Sequence, residues 1–153
     1  MRNRRIMIMG SAGSGKTTLA FLLEPESFLI RRTPQLVYRR TTIDSPSAYL
    51  ESPWMRHHLI AAAQDASCVL MLVSADKTRT VYPPGFAKVF RVPVLGIITR
   101  AESCPDGVAA AEKELSRTGI SEPYYKAELT REDSEGLQIL LERLKPYRSD
   151  NTK

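Results

Sequence analysis

Short apolar runs alternate along the chain with longer segments of helical periodicity. Arg5 to Met9 (RIMIM), ending at Gly10, reads as a first strand, and Lys16 to Leu23 reads as a helix stopped by Pro25. Arg31 to Arg40 carries four arginines with Thr33 and Pro34, and reads as an exposed loop followed by an edge strand. Thr41 to Asp44 is a short strand ended by Ser45-Pro46. Trp54 to Ala63 is helical in character, with Pro53 ahead of its first turn. Ser67 to Ser74 (SCVLMLVS) and Pro93 to Thr99 (PVLGIIT) are continuous apolar runs, as expected of strands covered on both faces. Between them, Pro83-Pro84-Gly85 marks a turn before the apolar stretch Phe86 to Phe90. Gly107 to Arg117 predicts a helix that stops at Gly119, and Tyr124 to Leu129 a last strand. Asp133 to Leu144, with Leu137, Leu140, Leu141 and Leu144 at helical spacing, closes the chain as an amphipathic helix.

Buried strands alternating with helices predict an α/β fold of three layers, with helices on both faces of a mainly parallel sheet. The 153 residues suit one domain spanning 1–153, with a core over about 4–146 and no linker or repeat dividing it. At 42% hydrophobic and 25% charged residues the composition is that of an ordinary globular protein, which excludes wholesale disorder. No apolar run approaches the ~20 residues of a membrane span, so no transmembrane segment is expected. Met1 to Arg5 lacks the pattern of a secretory signal, and two cysteines, Cys68 and Cys104, suit a reducing, cytoplasmic setting. Cys68 falls in a buried strand pattern, and Cys104 precedes Pro105 in a loop without a catalytic partner nearby.

The net charge of +5 invites a nucleic-acid partner, but its distribution argues against one. The arginines gather at Arg2, Arg4 and Arg5 and again at Arg31, Arg32, Arg39 and Arg40, where Tyr38 is the only interleaved aromatic. A base-stacking surface needs more than that, so no nucleic acid is expected and the cluster reads as a solvated edge beside a charged ligand.

That ligand is indicated by Gly10-Ser11-Ala12-Gly13-Ser14-Gly15-Lys16-Thr17, which satisfies G-x-x-x-x-G-K-[ST] between a strand and a helix. Glycines let successive N–H groups point into one concavity, and the helix N-terminus adds partial positive charge. Gly10 through Thr18 are therefore the expected phosphate-binding residues. Lys16 is the expected catalytic group, reaching the β- and γ-phosphate oxygens, and Thr17 would place its hydroxyl on Mg²⁺, the expected cofactor. Either GTP or ATP could occupy such a loop.

Three later segments narrow the reading. Thr42-Ile43-Asp44-Ser45-Pro46-Ser47 stands where a GTPase carries D-x-x-G, and Ile97-Ile98-Thr99-Arg100-Ala101-Glu102 where it carries [NT]-K-x-D. Asp44 to Glu51 (DSPSAYLE) and Tyr82-Pro83-Pro84-Gly85-Phe86-Ala87 complete a narrower signature. With these motifs the chain resembles the EutP/PduV family of small Ras-like P-loop proteins, found with the bacterial microcompartments for ethanolamine and propanediol utilisation. The resemblance covers Arg5 to Leu144. It implies a P-loop NTPase fold with a Ras-like, six-stranded, mostly parallel sheet. It also implies nucleotide binding with Mg²⁺ and an association with microcompartments, whose shell or enzyme proteins are the expected partners; slow hydrolysis is expected instead from the departure at Ala48. By the same resemblance Asp44 supports the metal, Thr33 caps it from the loop after the first helix, and Thr99, Arg100, Glu102 and Thr130 contact the base.

The chain departs from the family pattern at chosen places. Ser47 replaces the glycine of D-T-P-G, and Ala48 stands where many GTPases place a water-orienting glutamine. Glu102 is one methylene longer than the usual aspartate, so reading a base with it requires the loop to retreat by roughly 1.5 Å. Arg100 offers a planar fork in place of a lysine stem. Thr33 could equally serve a solvated turn beside Pro34, and Thr130 a helix cap or turn. His57 and His58 lie side by side with no third histidine to complete a metal site, and read as surface residues. Three functions are thus in play: a slow GTPase, a small-molecule kinase using ATP or GTP, and a non-catalytic assembly or targeting module.

Overall fold

The computed structural model describes residues 5–25, 35–76, 81–131 and 133–147. Six strands form one sheet: β1 (Arg5–Gly10), β2 (Val37–Tyr38), β3 (Thr42–Asp44), β4 (Ala66–Ser74), β5 (Val94–Thr99) and β6 (Tyr125–Ala127). Their spatial order is β2-β3-β1-β4-β5-β6, with β2 antiparallel at one edge and every other pair parallel. The order reverses around β1, so the ends of β1, β3, β4 and β5 open onto a shared crevice, where ligands of such sheets bind.

Alternation along the central strands builds two cores. Ile6, Ile8, Cys68, Leu70, Leu72 and Ile97 face one side, where they meet Leu19 and Leu23 of α1 (Lys16–Leu23) and Leu137, Leu140 and Leu144 of α5 (Glu135–Leu144). Met7, Met9, Val69, Met71, Val73 and Ile98 face the other side. There they pack on Leu50 of α2 (Ser47–Glu51), Leu59 of α3 (Arg56–Ala62), and Ala111 and Leu115 of α4 (Val108–Arg117). The unbroken apolar runs of β1 and β4 follow from this double covering. Tyr82, fully buried in the second core, donates from its hydroxyl to the Leu72 carbonyl at 2.8 Å.

The helix expected over 54–63 is present as a 3₁₀ turn running into α3, and an additional short helix, α2, precedes it. Pro46, extended at ψ 144°, precedes α2, and Ser52 is extended again before Pro53, which starts a 3₁₀ turn over Pro53–Met55. Proline lacks an N–H and disfavours helical geometry in the residue before it, so α2 and α3 cannot merge. Phe86–Val89 is likewise a 3₁₀ turn, following Gly85 at φ +72°. Ser134, not Thr130, caps α5, accepting from the Leu137 N–H at 3.3 Å.

One buried carboxylate fixes the edge of the sheet. Glu24, immediately after α1, accepts from the Arg40 and Thr41 N–H groups at 3.0 and 2.9 Å and from the Thr41 hydroxyl at 2.9 Å. It thereby ties the end of the phosphate-loop helix to the turn that leads into β3.

Candidate functional site

The loop Gly10–Thr17 joins β1 to α1 at the crevice. Gly15 adopts φ +105°, a left-handed conformation that side chains resist, and it turns the chain into the helix. A Cβ on Gly10 would stand 2.4 Å from Ser14 Oγ, so the loop closes this tightly only with glycine there. The Thr99 hydroxyl donates to the Ser14 carbonyl at 2.8 Å, bracing the loop from the end of β5.

The crevice above the loop encloses about 770 Å³ and is lined by Ala12, Gly13, Gly15, Lys16, Thr17 and Thr18 on one side. Asp44, Ser45, Pro46 and Ser47 line the other side. Gly10, Ser11 and Ser14 lie behind the lining and shape it. Lys16 is buried, and its ammonium donates to the Ser11 carbonyl at 3.0 Å and the Ser47 hydroxyl at 2.8 Å. Burial pulls its pKa below the ordinary 10.5, against the opposing attraction of Asp44 and Glu51. Burial likewise pushes the Asp44 carboxyl above its ordinary value, opposed by Arg39 and Lys16. Both shifts describe charges held in a poorly solvated place, where a polyanion with its counter-cation would meet strong fields.

Thr17 and Asp44 offer a hydroxyl and a carboxylate, the hard oxygen donors that suit Mg²⁺. Among the described residues no three His, Cys, Asp or Glu side chains gather into a metal cluster, and a bound Mg²⁺ would be held by Thr17 and Asp44 together with phosphate oxygens. Thr33, the expected third metal contact, lies outside the described residues, as do Arg2, Arg4, Arg31 and Arg32.

Two residues not anticipated from the motifs also reach this region. Arg39 places Nη1 3.5 Å from Asp44 Oδ2, so the carboxylate already has a cation beside it. Glu51 Oε2 accepts from the Ala12 N–H of the phosphate loop at 3.4 Å. The arginine-rich edge and the last residue of DSPSAYLE were visible signals for them, but only the register of Val37 with Asp44 and the short α2 bring them here.

A smaller recess of about 220 Å³ continues from the crevice, lined by Gly15, Thr18, Thr99, Arg100, Ser103, Glu128, Leu129 and Thr130. Of the expected base contacts, Thr99, Arg100 and Thr130 are here and Glu102 is not. Glu102 instead accepts from the Ser134 hydroxyl at 2.7 Å and pairs with Arg131 at 3.1 Å. Arg100, at φ +57°, donates to the Gly13 carbonyl at 2.8 Å and the Ser74 hydroxyl at 2.7 Å, and lies 3.5 Å from Asp76. Its guanidinium therefore clamps the back of the phosphate loop. Ala48 is exposed and His57 and His58 lie on the surface. Cys68 is buried and Cys104 half-buried. No described helix is long and apolar enough to cross a membrane.

Comparison with known proteins places this geometry. Residues 3–146 match the family described as "Ethanolamine utilisation - propanediol utilisation" (PduV-EutP). The chain is 30% identical to the propanediol utilization protein PduV of Citrobacter freundii, over 82% of this chain and 85% of that one. It is 30% identical to the "probable acetate kinase EutP" of Escherichia coli K12, over 92% of this chain and 89% of that one. Among solved structures it superposes, at TM-score 0.63 and 16% identity, on the elongation factor SelB of Methanococcus maripaludis bound to a GTP analogue. That match takes in 94% of this chain and 33% of the factor, so the chain spans about a third of its length. The solved neighbours are GTPase G domains, and the fold is that of a P-loop NTPase.

Proposed function

The chain belongs to the PduV-EutP family of ethanolamine and propanediol utilisation and has a G-domain-like fold, and from that premise we propose that it is a nucleoside triphosphatase of slow turnover that acts with a bacterial microcompartment. The observation that carries the reading is Lys16: a buried ammonium in the phosphate-loop crevice, facing Asp44 and Ser47 across it. The loop N–H groups and Lys16 would hold the β- and γ-phosphates, and Thr17 with Asp44 would hold Mg²⁺. The metal, when bound, supplies positive charge to the bridging and leaving oxygens. Lys16 would add its own charge to the γ-phosphoryl group as a water attacks, which is electrostatic catalysis without a covalent step. GTP is the favoured nucleotide and Mg²⁺ the cofactor, with shell or enzyme proteins as partners.

Slow turnover follows from two substitutions. The exposed Ala48 cannot orient a water. Ser47 occupies one of the three donors of Lys16, which a phosphate oxygen would otherwise take. Ser47→Gly is expected to raise affinity for the triphosphate relative to the diphosphate by about tenfold, the worth of one hydrogen bond to a charged group. Competition of the two nucleotides for the variant and the parent protein checks it.

A second reading has its own support. The Escherichia coli relative is named a probable acetate kinase, and a carboxylate acceptor is already an anionic nucleophile that needs no base or oriented water. In that case a carboxylate oxygen attacks the γ-phosphorus, the bond to the β-bridging oxygen breaks, and an acyl phosphate and nucleoside diphosphate leave. Phosphate release and acyl phosphate formation, measured with and without acetate, decide between the two. Phosphate release independent of acetate supports the hydrolase, and acetate-dependent acyl phosphate supports the kinase. Neither product, with nucleotide bound, leaves the binding and assembly role.

A further inference from the structure

We propose that Glu128, rather than Glu102, reads the nucleobase, and that it does so by selecting guanine. The inference rests on the nucleotide-binding reading above and concerns its specificity.

Glu128 directly follows β6, whose Ala127 is in register with Thr99 of β5. Because the two strands are parallel, Glu128 emerges at the same edge of the sheet as the loop Arg100 to Ser103, one step beyond the phosphate loop. Its side chain is 4% exposed and lines the recess that opens from the crevice past Gly15, Thr18 and Arg100. Oε1 accepts from the Ser103 N–H at 2.9 Å and the Ser103 hydroxyl at 2.8 Å, which locks the carboxylate in place. Oε2 accepts no hydrogen bond from the described residues. This accessible oxygen, on the wall of a recess and with its partner oxygen fixed, is placed to accept from N–H groups of a ligand.

Glu102 has no such freedom. Its two oxygens are taken by Arg131 and by Ser134, the cap of α5, and it is outside the recess. Its charge serves the start of the last helix, and the longer side chain that made it an awkward base reader suits that reach.

The chemistry selects among purines. Guanine presents N1–H and the 2-amino group side by side, two donors for a carboxylate oxygen with both lone pairs open. Hypoxanthine lacks the amino group. Xanthine replaces it with a carbonyl, and adenine places an unprotonated N1 beside its amine, so each sets a lone pair against Oε2. A site built around an acceptor rejects such analogues strongly because its own group is left unpaired.

The test is the affinity ladder of the Mg²⁺ complexes of GTP, ITP, XTP and ATP, measured by calorimetry on the full chain and on two variants. The parent protein is expected to bind GTP at least about tenfold more tightly than ITP and more tightly still than XTP or ATP. In Glu128→Gln the Ser103 N–H keeps the amide oxygen, so the NH₂ turns to the recess. GTP should then weaken by at least about tenfold and XTP should gain on it. Glu102→Ala, at an exposed position that needs no packing, should keep the parental ladder within about threefold. Loss of the ladder in Glu102→Ala would overturn the assignment even if Glu128→Gln does not fold. Equal binding of all four nucleotides by the parent overturns it too, while leaving phosphate binding intact. Failure of the parent to bind any of them overturns the nucleotide reading itself and this inference with it.

Discussion

Lys16→Met is expected to lower affinity for a Mg²⁺–nucleoside triphosphate by at least about a hundredfold, without lowering the stability of the nucleotide-free protein at neutral pH. The first half follows from charge. Lys16 is a buried cation in the crevice, and truncating one partner of a desolvated charge pair removes far more than a surface ion pair is worth. The second half follows from its depressed pKa, caused mainly by burial. The folded chain holds the ammonium less readily than the unfolded chain, so the charged form opposes folding. With the folded value below the ordinary 10.5, the favourable contribution is present above 10.5 and is lost as pH falls through the folded value. The loss grows as pH falls from 10.5 toward neutrality, and methionine, of similar length, escapes it. Denaturant unfolding of parent and variant at about pH 7 and again near pH 10 should show the parent gaining on the variant as pH rises. A variant that is markedly less stable at pH 7 would mean that the bonds to Ser11 and Ser47 outweigh desolvation.

Glu24→Ala is expected to destabilise the protein by roughly 3 kcal/mol, the second large effect. The substitution strands the Thr41 N–H and hydroxyl and the Arg40 N–H, all of which donate to one buried carboxylate. Each stranded buried donor costs about 1–3 kcal/mol. The sum is not reached, because removing a buried charge also removes its own desolvation, and Arg40 lies where water can replace its partner. For a chain of this size the melting temperature should fall by roughly 10 °C. Glu24→Gln keeps one acceptor and should fall between alanine and the parent. Because Glu24 ties α1 to the turn before β3, the alanine variant should also weaken Mg²⁺ dependence through Asp44. An unchanged melting temperature would show that water satisfies these groups and that the edge of the sheet is held by other contacts.

The motifs and the strands they end were readable because both are local. A glycine-rich turn between an apolar run and a helix specifies its own backbone, and six alternating segments leave few topologies. The two-sided core follows from that alternation, which is why β1, β4, β5, α4 and α5 lie where their periodicity predicts, whereas the Ras-like sheet with its antiparallel edge strand β2 is implied by the family resemblance. The broken α2–α3 segment is a different case: Pro46 and Pro53 were in plain view, but whether proline starts or interrupts a helix depends on what Ser47 to Glu51 pack against.

The site resisted reading where its partners come from distant segments. Glu102 occupies the base-reading place in the motif, yet Ser134 and Arg131, some thirty residues later, claim its oxygens. Glu128 belongs to no motif, and only the β5–β6 register brings it to Ser103. Glu24 and Arg39 are similar: one charged residue after a helix and one in a basic loop, each defined by a contact across the sheet edge. The motif's spacing thus accounts for the residues that line the crevice beside the phosphate loop, whereas the adjoining recess is assembled from two loops rather than one.

Lys16 should be the residue through which this crevice holds a nucleoside triphosphate. Calorimetric titration of the full chain with GTP in Mg²⁺, repeated with Lys16→Met, tests it most directly. Saturable one-to-one binding to the parent protein is expected, and it should disappear in the variant while the variant remains folded. Absence of binding by the parent with either GTP or ATP, or undiminished binding by the variant, would contradict it.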